Sequence, residues 1–354
     1  MKKKILILNQ GITANYGDVA INNTLMSFFK TRGFDVDYYP FWYEEYIFGK
    51  SYRKNKIFKL LFNIIWRVPF MMDYFNKRSI SRRFNEMNYD AIIIGGGELL
   101  SGHRGFNSSM NVWTKVAEEK RVPVYLFGVS GDINMPRYIL NRNRKSLTRF
   151  AEIFVRDSYT FDILKKHYNL NGKYAPDVVF AYNAMFQADN KTLKNREYLL
   201  CVPIAFNEGI VTKMGIKNIK EYFDYLVSEI VKNLGANSKV IITSSVLEDN
   251  EFSKKFYSYA HDKLKEIDIQ YKEYTSLYDY INLLGHSHCV ISGRMHALIL
   301  AFINDCKVVT IPFKEKLICF NNEYSYEKDK GKVERKVLEA LENLLMAVKK
   351  NTHL

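Results

Sequence analysis

No apolar run in this 354-residue chain approaches the length of a membrane-spanning helix, about 20 residues, so the sequence predicts no bilayer crossing. Cysteine is scarce. The four present, Cys201, Cys289, Cys306 and Cys319, lie far apart and lack the spacing of metal ligands. They read as buried, reduced thiols. No cluster of His, Cys, Asp or Glu suggests a metal site, and none is expected. The G-x-G-x-x-G fingerprint of dinucleotide-binding folds is also missing, which argues against a nicotinamide cofactor. Acids are in short supply: 38 Asp plus Glu stand against 52 Lys plus Arg, a formal net charge of +14. That balance favours anionic partners such as nucleic acid, an acidic membrane surface or phosphorylated small molecules. No RNA- or DNA-binding motif accompanies it, so nucleic acid is not expected.

What is present is an ordinary globular composition, with 47% apolar residues over a length that suits two domains. The N-terminal Met-Lys-Lys-Lys is basic, but the apolar run Ile5 to Leu8 is too short for a signal core and ends at Asn9, Gln10 and Gly11. It predicts a first buried strand in a cytoplasmic protein. Short apolar strands then alternate with helical patterns. Strands are predicted at Asp35–Tyr39, Ala91–Ile94, Val122–Phe127 and Ile153–Val155, with a helix near Val19–Thr31. The second half repeats the rhythm. Strands are predicted at Tyr198–Pro203, Lys239–Thr243, Cys289–Ser292 and Lys307–Ile311, and helices at Ile219–Leu234, Glu251–Lys265, Met295–Ile303 and Glu334–Lys349. The fold class that follows is α/β, two Rossmann-like doubly wound domains. The polar stretch Gln187–Glu197 is the best linker signal, so domains are expected at 1–186 and 187–354.

Open parallel sheets bind ligands beyond the carboxyl ends of their strands, and the chain places unusual residues there. Gly11-Ile12-Thr13-Ala14-Asn15-Tyr16-Gly17-Asp18 follows the first strand, and Gly95-Gly96-Gly97-Glu98 follows the third. Glycines permit close backbone approach to a ligand, and a following helix start offers N–H groups to an anion. Asp18 and Glu98 are each either a general base for a sugar hydroxyl or a cap for the next helix.

Ser292-Gly293-Arg294-Met295-His296 carries the most information. A strand ends at a glycine, and Arg294 and His296 follow before an apolar helix. Arginine presents a planar fork suited to phosphate or carboxylate, and histidine exchanges protons near neutral pH. Function is favoured there over a helix-start histidine bonded to backbone. His286 and His288 sit at the other end of the strand and read as structural. Arg156, in Phe154-Val155-Arg156-Asp157-Ser158, also follows a short strand. It points to the interdomain cleft or forms a surface salt bridge, while Asp157 or Ser158 suits capping.

At these residues the chain resembles the polysaccharide pyruvyl transferase family. The segments that carry the resemblance are Asn15-Tyr16-Gly17-Asp18, Gly95-Gly96-Gly97-Glu98, Val155-Arg156-Asp157-Ser158, Ala175-Pro176-Asp177 and Ser292-Gly293-Arg294-Met295-His296. Val129-Ser130-Gly131-Asp132 departs from the glycine-rich loop expected there, and Gln187–Arg196 matches no family segment. The resemblance implies an architecture similar to that of GT-B glycosyltransferases. It also implies transfer of a pyruvyl group from phosphoenolpyruvate to a saccharide, free or lipid-linked, giving a ketal and phosphate. It implies no other cofactor. Arg156, from the first domain, and Arg294 and His296, from the second, correspond to the family's catalytic residues, and with Gly293 and Ser292 they are the expected phosphoenolpyruvate site, held near the second domain in the crevice between the two. Asn15, Gly17, Asp18, Gly95, Gly96, Gly97 and Glu98 are the expected acceptor-binding or base candidates of the first. The alternatives are a nucleotide-sugar-dependent glycosyltransferase of the same architecture and a non-catalytic two-domain anion-binding protein. No oligomeric state follows from the sequence.

Residues 50–83 hold ten Lys plus Arg and a single acid, Asp73, mixed with apolar residues. That mixture suits either peripheral contact with the inner face of a membrane or a core-packed helix pair with a solvated basic face.

Overall fold

The computed structural model describes residues 2–11, 15–42, 44, 62, 64–86, 88–186, 195–235, 239–327 and 329–351. The chain forms two units, each built on its own parallel sheet. The expected linker segment 187–194 lies outside the described residues, as do residues 50–61 and 63 of the basic segment.

Unit 1 comprises residues 1–12, 21–178 and 335–354. Its strands are β1 (Lys4–Asn9), β2 (Asp35–Pro40), β3 (Ala91–Gly95), β4 (Glu98–Leu100), β5 (Val124–Gly131), β6 (Glu152–Val155) and β7 (Lys173–Tyr174). They run parallel in the order β2-β1-β3-β5-β6-β7, with β4 pairing β5. Ile5 to Leu8 and Ala91 to Ile94 are fully buried. Strands covered on both faces read as unbroken apolar runs, which is why they stand out in the sequence. Its helices are α1 (Tyr16–Thr31), which begins in unit 2 and enters unit 1 at Ile21, α2 (Pro69–Glu86), α3 (Arg104–Glu119), α4 (Arg137–Leu147) and α5 (Ser158–Ile163). Asp157 caps α5 by accepting from the Thr160 amide at 2.7 Å. The buried side chains of α3 include Asn107, Ser108, Ser109, Asn111 and Thr114 beside Met110, Trp113 and Val116. The polar ones are satisfied by neighbours: Asp73 on α2 accepts from Ser108 and Asn111, and Arg142 on α4 binds both Asp73 and Asn107.

Unit 2 comprises residues 13–20 and 179–334. Its parallel sheet has the order β10 (Asp268–Tyr271), β9 (Lys239–Ile242), β8 (Tyr198–Val202), β11 (Ser287–Ser292), β12 (Lys307–Thr310). Helices α6 (Tyr182–Phe186), α7 (Glu208–Met214), α8 (Ile219–Asn233), α9 (Asn250–Lys263), α10 (Leu277–Gly285), α11 (Met295–Ile303) and α12 (Glu315–Tyr324) connect or flank the strands. The closing helix α13 (Lys330–Asn351) begins in unit 2 and continues in unit 1.

The observed division corrects the expected one at 186/187. It falls between Val178 and Val179, because Phe180 packs against Phe302 and Tyr324 and Asn183 donates to the Ile303 carbonyl. The C-terminal stretch returns to unit 1, where Glu342 pairs with Arg32 and Tyr125 donates to the Ala347 carbonyl. Polar composition alone marked the expected boundary, and packing places it eight residues earlier.

Each sheet reverses its strand order once, in unit 1 between β1 and β3 and in unit 2 between β8 and β11. Such switch points open a crevice at the strand carboxyl ends. The loops there are those after Asn9 and Gly95 in unit 1 and after Val202 and Ser292 in unit 2.

Cys201, Cys289 and Cys306 are buried, and Cys319 is half-buried, which corrects the expectation for that residue. Burial pushes the Cys289 thiol up to about 12, which suppresses its reactivity. No helix among the described residues is long and apolar enough to cross a membrane.

Candidate active site

In unit 2 the strand β11 ends at Ser292, whose hydroxyl donates to the Val202 carbonyl at 2.9 Å and accepts from the Arg294 amide at 2.9 Å. That bracket fixes the turn at Gly293. A Cβ on Gly293 would lie 3.1 Å from Ile204 and Phe313, a tight contact that those side chains would have to give way to. Arg294 stands at the N-cap position of α11 with extended backbone. Its Nε and one Nη bind Asp249 Oδ2 at 2.7 and 2.6 Å. Asp249 is itself buried, and its other oxygen accepts from the Ala205 amide at 3.1 Å. The carboxylate is therefore pinned from both sides and orients the guanidinium. The arginine side chain keeps 37% exposure, against 1% for its aspartate.

His296 lies in the first turn of α11, half-buried. Its imidazole rests against the backbone of Gly17. A Cβ at Gly17 would lie 2.5 Å from His296 Cγ and 2.6 Å from its Cβ, an overlap that only glycine avoids. Asn15 organises this first turn of α1. Its Oδ1 accepts from the Gly17 amide at 3.0 Å and its Nδ2 donates to Asp18 at 2.9 Å. Asn15 thus holds the position just before the helix, and Asp18 supports it from within the first turn. Tyr16 anchors the turn to unit 2. Its amide donates to the Ser245 carbonyl, its hydroxyl donates to the Tyr274 carbonyl at 2.5 Å, and its ring stacks on Tyr280 at 5.1 Å. Burial raises the phenols of Tyr16, Tyr274 and Tyr280, so all three are neutral near pH 7. Two sequence segments far apart in the chain, around Gly17 and His296, therefore meet inside one unit. They combine an imidazole, an anchored guanidinium and the start of α11, a set suited to an anion that must receive a proton.

The unit 1 segments also meet, but around a closed core. Arg156 is 3% exposed and donates to Asp177 at 2.7 Å and to the Ser130 hydroxyl at 2.7 Å. The Ser130 amide in turn donates to the Gly97 carbonyl at 2.9 Å. Three of the segments that carry the resemblance, those of Gly97, Arg156 and Asp177, are thereby linked through Ser130. The salt bridge expected for Arg156 at the surface is instead a buried one, because Asp177 and Ser130 enclose its guanidinium. Gly96 and Gly97 have positive φ of 73° and 84°. A Cβ on Gly96 would also meet Ile21 of α1 at 2.5 Å, so that loop serves helix packing as well as turning. Glu98 belongs to β4, in register with Ser130, and does not cap a helix. The next helix, α3, is capped by His103, whose Nδ1 accepts from the Phe106 amide at 3.1 Å.

His286 Nδ1 bonds the Asn282 carbonyl and His288 Nε2 bonds the Asn233 carbonyl, so both are structural, in line with their position in the sequence. Among the described residues no group of three His, Cys, Asp or Glu is placed to hold a metal. Sequence reasoning missed Asp249 and the Thr243-Ser244-Ser245 turn. The latter follows β9 and was open to the same strand-end argument as its neighbours. Ser244 bonds Asn250 there.

The family described as polysaccharide pyruvyl transferase matches residues 15–314 of the chain. Curated protein sequences give no match. Solved structures give many. A UDP-N-acetylglucosamine 2-epimerase from Rickettsia bellii superposes with a TM-score of 0.56 at 10% identity, covering 100% of this chain and 97% of the other. The UDP-GlcNAc 2-epimerase from Neisseria meningitidis, bound to UDP-GlcNAc, gives 0.53 at 10% identity, covering 99% and 94%. That from Methanocaldococcus jannaschii, in complex with UDP-GlcNAc and UDP, gives 0.51 at 14% identity, covering 97% and 100%. At these identities the likeness establishes the fold alone, two Rossmann-like units of the GT-B type.

Proposed function

The chain belongs to the polysaccharide pyruvyl transferase family, and from that premise we propose that it transfers a pyruvyl group from phosphoenolpyruvate to a saccharide hydroxyl pair. The observation that carries this reading is the meeting of His296, Gly17 and the Asp249-anchored Arg294 inside unit 2. Phosphoenolpyruvate brings a phosphate and a carboxylate, and desolvating them is costly unless cations and N–H donors replace the water. Arg294 supplies the cation, and the start of α11 supplies N–H groups.

In the proposed step, His296 gives a proton to the methylene carbon, which becomes a methyl group. The adjacent carbon gains oxocarbenium character, and a saccharide hydroxyl attacks it and loses its proton to a base. Asp18, next to Gly17 in the chain and bonded to Asn15, is the candidate base. Phosphate leaves with its bonding electrons and takes up the proton of the second hydroxyl, which adds to the same carbon and closes the cyclic ketal. One phosphate is released per pyruvyl unit gained. Arg156 has its charge met by Asp177 and takes no part in this step. It keeps a positioning role through Ser130 and Gly97.

The test is direct. The protein is incubated with phosphoenolpyruvate and a panel of saccharides, free and lipid-linked. Products are weighed by mass spectrometry while phosphate is counted. The expected result is one added pyruvyl unit per phosphate. Two of the structural neighbours named above hold UDP-GlcNAc, so UDP- and GDP-sugars are included in a parallel thermal-shift series. Stabilisation by those sugars with none by phosphoenolpyruvate overturns the proposal in favour of a nucleotide-sugar enzyme.

A further inference from the structure

Helix α2 is two-faced. Met72, Asn76, Ile80 and Phe84 are buried, and Asp73 is turned toward α3 and α4, where Ser108, Asn111 and Arg142 use its oxygens. The opposite face exposes Phe70 at 73% and Tyr74 at 68%, with Ile64 at 50% just before the helix. Arg67, Arg78 and Arg82 are exposed around them. Along the helix Phe70, Tyr74, Arg78 and Arg82 recur every fourth residue, so they share one side. Lys77 flanks them and pairs with Glu119. No carboxylate of the described residues pairs with Arg67, Arg78 or Arg82. Asp73, the single acid of residues 50–83, is spent on the inner face. Large aromatic side chains left in water beside unpaired guanidinium groups are costly unless something covers both. The combination of an apolar body and a cationic rim matches a lipid interface, where aromatic rings enter the headgroup layer and arginines meet lipid phosphates.

We propose that this face of α2 docks the protein onto the anionic surface of a bilayer, with Phe70 and Tyr74 inserted and Arg67, Arg78 and Arg82 on the phosphates. The proposal goes beyond the reaction and stands independently of it, since none of these residues belongs to the catalytic cluster. A duplex nucleic acid would use the cations but leave the rings without a partner. A second copy of the chain would bring its own arginines against these.

The experiment is co-sedimentation of the full chain with vesicles of phosphatidylcholine, with or without phosphatidylglycerol, at low and high salt. The wild type is expected to sediment with the phosphatidylglycerol vesicles and to stay in solution with the neutral ones, with binding weakened by salt. Phe70→Ala/Tyr74→Ala is expected to reduce the bound fraction several-fold at unchanged net charge. Arg67→Glu/Arg78→Glu/Arg82→Glu is expected to abolish binding. The side chains are exposed, so thermal melts of both variants should match the wild type, and pyruvyl transfer to a soluble acceptor should be unaltered. Absence of wild-type binding to phosphatidylglycerol overturns the proposal. So does full retention of binding by the aromatic variant, which would mark a purely ionic partner. A dimer seen by light scattering that the aromatic variant converts to monomer also overturns it, in favour of a self-interface.

Discussion

The two units each hold an arginine bound to a buried aspartate, and the two pairs do different work. In unit 1 both partners are sealed: the side chains of Arg156 and Asp177 are 2% and 3% exposed. In unit 2 only the aspartate is sealed, and the arginine reaches into solvent. A sealed pair gains from its geometry but offers nothing to a ligand, because an incoming anion would have to displace the carboxylate. A half-open pair does the reverse. The buried carboxylate fixes the direction of the guanidinium, and the rest of its donor fork stays available. The same residue pairing thus seals its cation in one unit and leaves it half-exposed in the other.

The largest expected effect sharpens the unit 2 side. His296→Gln should lower pyruvyl transfer by about 10²–10⁴-fold, the usual contribution of a positioned acid, with the denaturant midpoint unmoved. Steady-state phosphate release together with an unfolding curve checks both halves. On the unit 1 side, Asp177→Ala leaves a buried guanidinium without its counter-charge and should cost about 3–5 kcal/mol of stability, read by urea unfolding. A cost near zero would place the Arg156 pair among the surface ion pairs and break the comparison. Gly17→Ala should push the imidazole out of place. A displacement of that kind costs about 10²-fold in rate, and the thermal midpoint should change little because the helix start gains a better helix former.

The smallest effect is a pH dependence confined to the scaffold. Burial lowers the pKa of His103 below its ordinary value, opposed by Glu44, and its unprotonated Nδ1 caps α3. The unfolded chain therefore binds a proton that the native state resists. The stabilisation is complete above the unfolded histidine pKa, near 6.5, and is lost as the pH falls below it. His103→Asn supplies a cap that does not titrate, so its stability should fall less between pH 7 and 5.5 than that of the wild type. Chemical denaturation at the two pH values measures the difference.

Much of the fold was legible because parallel strands buried on both faces leave no polar residues to interrupt them. Ile5–Leu8 and Ala91–Ile94 were located to within a residue or two for that reason. The helix at Met295–Ile303 was read with its observed ends, since a turn glycine precedes it and its body is apolar. Helix α3 was not read, although Phe106, Met110, Trp113 and Val116 recur at helical spacing, because Asn107, Ser108, Ser109, Asn111 and Thr114 interleave polar residues that are also buried. The short strands β4 and β7 carry too few residues to show a pattern, and β10 is interrupted by Asp268 and Gln270. At the site, Arg294 and His296 were visible from the strand-glycine-helix grammar. Asp249 was not, because it sits 45 residues from its arginine with nothing local to distinguish it. The sealed state of Arg156 was likewise invisible, since a salt bridge and a ligand contact demand the same residue at the same strand end.

Which arginine handles the donor's charge is the question on which the account turns, and calorimetric titration of phosphoenolpyruvate into two variants answers it. Arg294→Ala removes the mounted cation. Arg156→Met/Asp177→Leu replaces the sealed pair with apolar residues, a change that buried pairs tolerate well. The account predicts that Arg294→Ala weakens binding by about 10–100-fold, the worth of hydrogen bonds to a charged group, while the double variant binds as the wild type does. Intact affinity in Arg294→Ala, with binding lost in a folded double variant, would contradict it.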